Sequence, residues 1–438
     1  MNNKNIDSYP FANPEGTVPS GFVVFHGRIK EINSQKGILE KNGESLAFQC
    51  LNKTPPPPYF PLIDIVPSLN ANDLVSLLGK FQKGIFWVIG IHRLAPSLQN
   101  PSPILRHIQK IKEILQQRNL LNSIIRKFFT EKNFLEVETP TLTQEPDPSP
   151  HIQPLKTEIQ LNESLSSVNE FYLISSPEFS MKSLLCCDFK EIFTICKVFR
   201  NQETGKIHQP EFTLLEWYRA YENGNRIQKD TEDLIEMVAH SFFGKFKSTW
   251  QGIDFSWKSP FEKIRLEDAF MDLAKMNLLP EESSKEFQKR AKDQGIKFSS
   301  NHLSWGEIFT QIFIEKIEPK LPPNRPFFLI DYPKKEAALA KIKKNSVWAD
   351  RFELYLGQIE LGNGFSELND PQEQKCRFEE DLQIRTVLNK EAVPIPENFL
   401  THLAYGMPPS AGIALGLDRL LMVLCNKSNL KEVLPFPI

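Results

Sequence analysis

Three segments place charged and polar residues on stretches that otherwise read as buried strands. The first runs Phe199-Arg200-Asn201-Gln202-Glu203 and continues through His208-Gln209-Pro210-Glu211-Phe212. An arginine at the end of a buried strand needs an anionic partner, because an unpaired buried charge is costly. That partner is either a ligand or a structural carboxylate such as Glu211. The second segment is Glu360-Leu361-Gly362-Asn363-Gly364-Phe365-Ser366-Glu367, two carboxylates seven residues apart with two glycines between them. Hard divalent cations such as magnesium take carboxylate oxygens together with substrate phosphates, and glycine lets a ligand approach backbone closely. A solvated turn is the alternative. The third is Gly412-Ile413-Ala414-Leu415-Gly416-Leu417-Asp418-Arg419. Glycine inside an apolar strand marks close backbone approach. Arg419 opens a helix, where the dipole disfavours a cation unless an anion sits beside it. The alternative there is a packing glycine and a surface arginine.

The elements that must carry these residues follow from periodicity. Residues 1–20 are polar and read as a disordered leader without a secretory signal. From Gly21 to Ala95, FVVFHGRIKEI, SLAFQCL and GIFWVIGIHRL read as strands of a small all-β module, with a turn at 41–43. The run TPPPPYFPL at 54–62 must be a loop, since proline cannot donate to a ladder. Residues 96–103 read as a linker. Ile104, Ile108, Ile111 and Leu115 then recur at helical spacing, and a second helix carries Leu121, Ile124, Ile125, Phe128 and Phe129 to near Asn133. FLEVETPTL reads as a strand stopping at Pro140, and YLISSPEFSMKSLL as strand then helix. IFTICKVF, EFTLLEWYRAY and FFLIDY are further strands, and RFELYLGQIELGNGF is two strands turning at Gly357. A helix over 371–390, the strand AGIALGL and the helix DRLLMVLCN complete the pattern. Strands and helices without regular βαβ alternation predict an α+β fold with an antiparallel sheet flanked by helices.

Composition narrows the function. Lys plus Arg number 52 against 54 Asp plus Glu, a formal charge of −2, so no whole-chain basic field exists for nucleic acid. The length of 438 residues predicts at least two domains. Six cysteines without a C-x-x-C pair argue against a disulfide framework or structural zinc. No apolar stretch approaches the ~20 residues that span a bilayer, and a cytoplasmic location is expected. P-loop, dinucleotide-binding and G-x-S-x-G signatures are absent.

Together and in this order, the segments resemble the class II aminoacyl-tRNA synthetases over residues 104–438. FFTEKNFLEVETPTL is similar to their motif 1, CKVFRNQETGKIHQPEFTLLEWYRAY to motif 2 and PPSAGIALGLDRLL to motif 3. RFELYLGQIELGNGFSELND resembles the lysyl branch. More narrowly, SSPEFSMKSLL, HQPEFTLLEWYR and GIALGLDRL resemble the elongation factor P lysine ligases, which attach an (R)-β-lysyl group to a lysine of that protein. Ala414 matches them, where lysyl-tRNA synthetases carry glycine.

The resemblance implies adenylate formation from ATP with magnesium, then capture of the acyl group by an amine. It assigns Arg200 and Arg419 to catalysis on the phosphates, Phe212 to stacking on adenine, and Asn201, Gln202, His208, Gln209, Leu361 and Gly416 to the nucleotide. Glu360 and Glu367 would hold magnesium. Ser176, Pro177, Glu178, Glu216, Tyr218, Glu367 and Ala414 would form the pocket for lysine or β-lysine, with Glu178 and Glu216 facing two ammonium groups. Motif 1 implies a homodimer. Two departures stand out. The family's Arg-Asn-Glu is Arg200-Asn201-Gln202 here, with Glu203 expected to point away if strand pairing continues. The ligases also lack an N-terminal domain, whereas this chain has the 21–95 module, possibly OB-like. That module carries eight basic against five acidic residues, and its aromatics lie in strand-like runs. It is expected to dock protein rather than tRNA. The remaining alternatives are a lysyl-tRNA synthetase and, given Gln202, a non-catalytic synthetase-like binding protein.

Overall fold

The computed structural model describes residues 23–32, 36–41, 44–51, 60–61, 69–83, 85–95, 102–160, 168–300 and 303–438. Two compact units divide the chain, residues 1–112 and 113–438. The leader at 1–20, most of the proline-rich run and residues 96–101 of the linker lie outside the described residues.

In the first unit, β-branched and aromatic residues build six strands: β1 (Val23–Ile32), β2 (Lys36–Lys41), β3 (Glu44–Cys50), β4 (Phe60–Pro61), β5 (Leu74–Gln82) and β6 (Ile85–Ala95). Strand β1 pairs antiparallel with β2 and β5, β2 with β3, and β5 with β6. Strand β3 then meets β6 in parallel, Phe48 opposite Phe86, which closes five strands into an OB-like barrel. Ile29, Leu39, Phe48, Leu77, Phe86 and Val88 fill it. Strands β2 and β5 were not among those read from the sequence. Gly37 and Gly79 break their apolar alternation, and Gly79 sits at a bulge where a Cβ would lie 2.2 Å from the Trp87 carbonyl oxygen. Within the expected proline-rich loop, Phe60–Pro61 instead forms β4 on the edge of β6, the position a proline tolerates. Helix α1 (Pro103–Lys110) follows, opened by the Ser102 cap.

The second unit begins with α2 (Lys112–Glu131), whose inner face is Leu121, Ile124, Ile125, Phe128 and Phe129. Asn133, with φ +61°, turns the chain out of the helix. The strand expected over FLEVETPTL is cut to β7 (Leu135–Glu136) and β8 (Leu142–Thr143), because Pro140 interrupts the ladder. Strand β8 pairs with β10 (Val168–Leu173), which also pairs with β9 (Leu155–Gln160). Helix α3 (Glu178–Leu185) leads into the hairpin β11 (Glu191–Phe199) and β12 (Glu211–Ala220). Helix α4 (Gly224–Phe243), the hairpin β13 (Lys247–Trp250) and β14 (Ile253–Ser256), β15 (Glu262–Arg265), α5 (Ser284–Asp293) and α6 (Trp305–Ile312) come next. They enclose an aromatic core in which Phe270 and Trp305 stack on Phe309. Strands β16 (Pro326–Pro333), β17 (Trp348–Leu356) and β18 (Ile359–Ser366), helices α7 (Pro371–Val387) and α8 (Glu397–Gly406), strand β19 (Ser410–Gly416) and helix α9 (Leu417–Leu424) complete the unit.

Its main sheet has eight strands in the order β15-β16-β17-β18-β19-β12-β11-β7. The expected antiparallel pairing holds through the six central strands. Both edges are parallel, β15 with β16 and β7 with β11. Register then fixes the site. Glu216 of β12 lies opposite Ala414 of β19, which lies opposite Asn363 of β18, and Tyr218 lies opposite Gly412. Trp217, on the other face, packs 5.3 Å from Phe129, which stacks on Phe193 at 4.5 Å.

One buried junction ties helix α2 to the motif 2 and motif 3 segments. The Asp418 carboxylate, at the start of α9, pairs with the Arg118 guanidinium of α2 and accepts the Thr213 amide of β12 at 2.8 Å. Asp418→Asn keeps the shape and the amide contact but leaves Arg118 without its anion. Breaking a largely buried pair in this way should cost about 2–4 kcal/mol, read as a lower denaturation midpoint with an unchanged denaturant slope. A midpoint equal to wild type would show that the junction is not a stabilising tie.

Candidate active site

Strand β11 ends at Phe199, so Arg200 enters the motif 2 loop with its amide bonded to the Pro210 carbonyl at 2.9 Å. Its guanidinium lies 5.2 Å over the Phe212 ring, and its buried Nε has no partner. Glu211 is not the structural partner of Arg200, because it pairs with Lys197 at 3.2 Å. Glu203 does not point away either. Strand geometry has already ended there, and its carboxylate comes to 3.9 Å from Arg200. Asn201 and Gln202 are exposed, and Gln202 adopts φ +63° with its amide donating to the Asn201 side chain. Neither lines the cleft beside Arg200.

That cleft has a volume of ≈ 190 Å³ and is bounded by Arg200, His208, Phe212, Glu360, Gly416 and Arg419, with Gln209, Leu361 and Ala414 also in its wall. Arg419 is held on three sides. It donates to the Ile207 carbonyl at 3.1 Å, to the Glu360 carbonyl at 2.7 Å and to His208 Nε2 at 2.8 Å. A guanidinium can only donate, so His208 accepts there and is neutral. Burial, then the Arg419 charge, lowers its pKa. Gln209 is buried, accepting the Ile438 amide at 3.0 Å. An unpartnered buried guanidinium nitrogen, a second arginine and an aromatic face suit a nucleotide triphosphate.

Across Ala414 from the cleft, acidic side chains cluster around Glu216. Ser176 donates to Glu216 Oε1 at 2.6 Å and Tyr218 to Glu216 Oε2 at 2.9 Å. Pro177 precedes α3, and the Glu178 amide donates to Ser176 Oγ at 3.1 Å. Lys182, which was not singled out from the sequence, has no exposed surface and sits 2.5 Å from Glu178 and 2.6 Å from Glu367. Burial opposes its charge, but Glu178 and Glu367 outweigh it and its pKa is raised. Burial also pushes Glu216 up to about 7 and Glu367 to about 8, each helped by Glu178. A lysine four residues after Glu178, on the apolar face of a short helix, was the available signal.

The two carboxylates proposed for a metal are separated by the structure. Glu360 lies in the cleft wall, whereas Glu367 lies at the far end of β18, about 20 Å along the strand, and is engaged by Lys182. Among the described residues, no three His, Cys, Asp or Glu side chains converge to hold an ion. Glu360, together with the phosphates of a nucleotide, would supply oxygen donors of the kind magnesium takes.

This sheet, with an arginine-lined cleft beside an acidic pocket, is that of an ATP-dependent amino-acid ligase. The chain belongs to the tRNA synthetases class II (D, K and N), matched over residues 103–438. It is 34% identical over 394 residues to a lysine–tRNA ligase of Carboxydothermus hydrogenoformans, covering 84% of this chain and 79% of that one. It is also 34% identical over 334 residues to an elongation factor P–(R)-beta-lysine ligase of Buchnera aphidicola, covering 75% of this chain and 96% of that one. A lysine–tRNA ligase of Wigglesworthia glossinidia brevipalpis is 36% identical over 334 residues, covering 75% of this chain and 65% of that one. No helix among the described residues is long and apolar enough to cross a membrane.

The buried Glu216 has a consequence for stability. A carboxyl whose folded pKa of about 7 exceeds its ordinary 4.5 contributes stability that is full below 4.5 and lost as pH rises through 7. Glu216→Gln cannot ionise and lacks this loss. Relative to wild type, the variant should gain about 2–3 kcal/mol between pH 4.5 and pH 7.5, measured by denaturant titration across that range. A constant difference would mean that Glu216 is ionised throughout.

Proposed function

We propose that the chain activates lysine or (R)-β-lysine as its adenylate and transfers the acyl group to a lysine of elongation factor P. The observation that carries this reading is Ala414. It stands in the sheet between Glu216 and Asn363, in the cleft wall, where the tRNA-charging branch has glycine. The Buchnera protein bearing that ligase name matches over nearly its whole length.

In the first step the amino-acid carboxylate attacks the α-phosphorus of ATP, and pyrophosphate leaves. Little covalent work falls to the protein, so positioning and charge neutralisation supply the rate. Glu178 and Glu216 hold the two ammonium groups, which directs the substrate carboxylate toward Arg200. Arg200 takes the α-phosphate and Phe212 stacks on adenine. Arg419, already braced by Ile207 and Glu360, meets the outer phosphates. Magnesium, held by Glu360 and phosphate oxygens, would neutralise charge on the leaving pyrophosphate. In the second step the acceptor amine attacks the acyl carbon, and AMP leaves.

A lysyl-tRNA synthetase is the second reading. The barrel of the first unit favours it, as does the Carboxydothermus match, whose 84% coverage exceeds what residues 103–438 contain. A homodimer suits either reading, because Leu120, Leu135 and Leu142 of the motif 1 region are 42%, 50% and 40% exposed.

The deciding experiment supplies ATP and labelled lysine or β-lysine with both elongation factor P and tRNA. Label on the protein acceptor is expected, and label on tRNA alone would establish the second reading. Arg419→Ala should lower ATP–pyrophosphate exchange by about 10²-fold, and normal exchange in a folded variant would remove Arg419 from the site. Glu360→Gln should raise the magnesium midpoint of exchange. Glu367→Gln should raise the amino-acid KM with little change in that midpoint, and the reverse pattern would return the metal to Glu367.

A further inference from the structure

Lys182 takes part in none of the steps above, yet it is the most completely buried cation beside the pocket. Its ammonium has no exposed surface, lies 2.5 Å from Glu178 and 2.6 Å from Glu367, and stands 5.3 Å from the Phe365 ring centroid. Stability alone is a weak reason for such an arrangement, since well-packed apolar residues usually serve a core as well as a buried ion pair or better. Both its carboxylate partners belong to the pocket.

Charge counting gives the arrangement a purpose. Glu178, Glu216 and Glu367 bring three carboxylates to the pocket, and Lys182 brings one ammonium. Two further positive charges balance the set. Each partner also keeps an oxygen turned elsewhere. Lys182 meets Oε1 of Glu178, which leaves Oε2, and it meets Oε2 of Glu367, which leaves Oε1. A Cβ on Gly412 would lie 3.0 Å from that Glu367 Oε1 and 2.4 Å from the Tyr218 ring, so glycine there keeps the oxygen and the ring side by side. Glu216 is meanwhile fixed by Ser176 and Tyr218.

We propose that Lys182 is a built-in third ammonium of the amino-acid pocket, a positioning residue that holds Glu178 and Glu367 in place and leaves room for exactly two ammonium groups on the substrate. The inference rests on the amino-acid reading of the pocket and adds its selectivity. A diamino acid completes the charge set, whereas a monoamino acid of equal length leaves one buried carboxylate to be held as the neutral acid and so binds more weakly.

The test uses the full chain and ATP–pyrophosphate exchange with lysine, (R)-β-lysine and norleucine. Lys182→Met should raise the diamino-acid KM by about 10²-fold, as expected when one member of a buried charged set is removed, while kcat changes only a few-fold. Lys182→Ala should recover with n-propylammonium, which restores the missing carbons and charge, and not with tetramethylammonium. Lys182→Arg should recover part of the wild-type KM. In parallel, n-propylammonium should raise the melting temperature of Lys182→Ala saturably and leave wild type unchanged. An unchanged KM in folded Lys182→Met, or no n-propylammonium effect on either exchange or melting, overturns the proposal. If wild type exchanges with none of the amino acids, the amino-acid reading fails, and the melting experiment still decides whether Lys182 fills an ammonium site.

Discussion

The unit that carries the site is organised by a single buried carboxylate. Asp418 is almost fully buried, and its two oxygens face different partners: the Arg118 guanidinium on α2 and the Thr213 amide on β12. Thr213 and Asp418 belong to segments that line the cleft, and Arg118 ties both to the helix outside it. Taking a carboxylate out of water is expensive unless every oxygen is satisfied, so the two partners must be in place together. The next residue, Arg419, inherits its position from that anchor. Its three hydrogen bonds reach the motif 2 loop and β18, so the cleft walls are spaced before any nucleotide arrives.

Two regimes of electrostatics meet at Ala414. On the cleft side the cations are only partly buried and Arg200 Nε has no partner, which suits a ligand rich in phosphate oxygens. On the pocket side the charges are desolvated and of mostly one sign, and proton affinity rises accordingly at Glu216 and Glu367. On the proposed reading, an amino acid bridging the two would find anionic partners for its amines at one end and cationic ones for its carboxylate at the other. Orientation of the reactants thus follows from charge placement.

Much of this was legible in the sequence where local pattern and tertiary role agree. The glycine-bearing strands β18 and β19, the Gly357 turn and the polar loop after Phe199 are local signals, and each was found. Strands β2 and β5 were missed because glycines needed for close packing break the alternation that marks a strand. The strand read over FLEVETPTL shrinks to the two-residue β7, because its partner β11 lies more than fifty residues later and local pattern cannot show how much of it that partner takes up. At the site, Glu178 and Glu216 came from motif order, while Lys182, Arg118 and Asp418 were invisible as a group. Their significance lies in pairings across the fold. The joint metal role for Glu360 and Glu367 suffered from the same limit: spacing along a strand says nothing about which neighbour claims each carboxylate.

The pleat of β12 separates two kinds of mutational freedom. Phe212, Leu214, Glu216 and Tyr218 look toward cleft and pocket, while Trp217 looks toward Phe129 and the helix behind. Because neighbours in a strand face opposite ways, a substitution at 216 changes the charge set of the site along with stability, whereas one at 217 touches only the packing behind the sheet. The two faces of one strand thus set different limits on change, charge pairing in front of the sheet and close aromatic packing behind it.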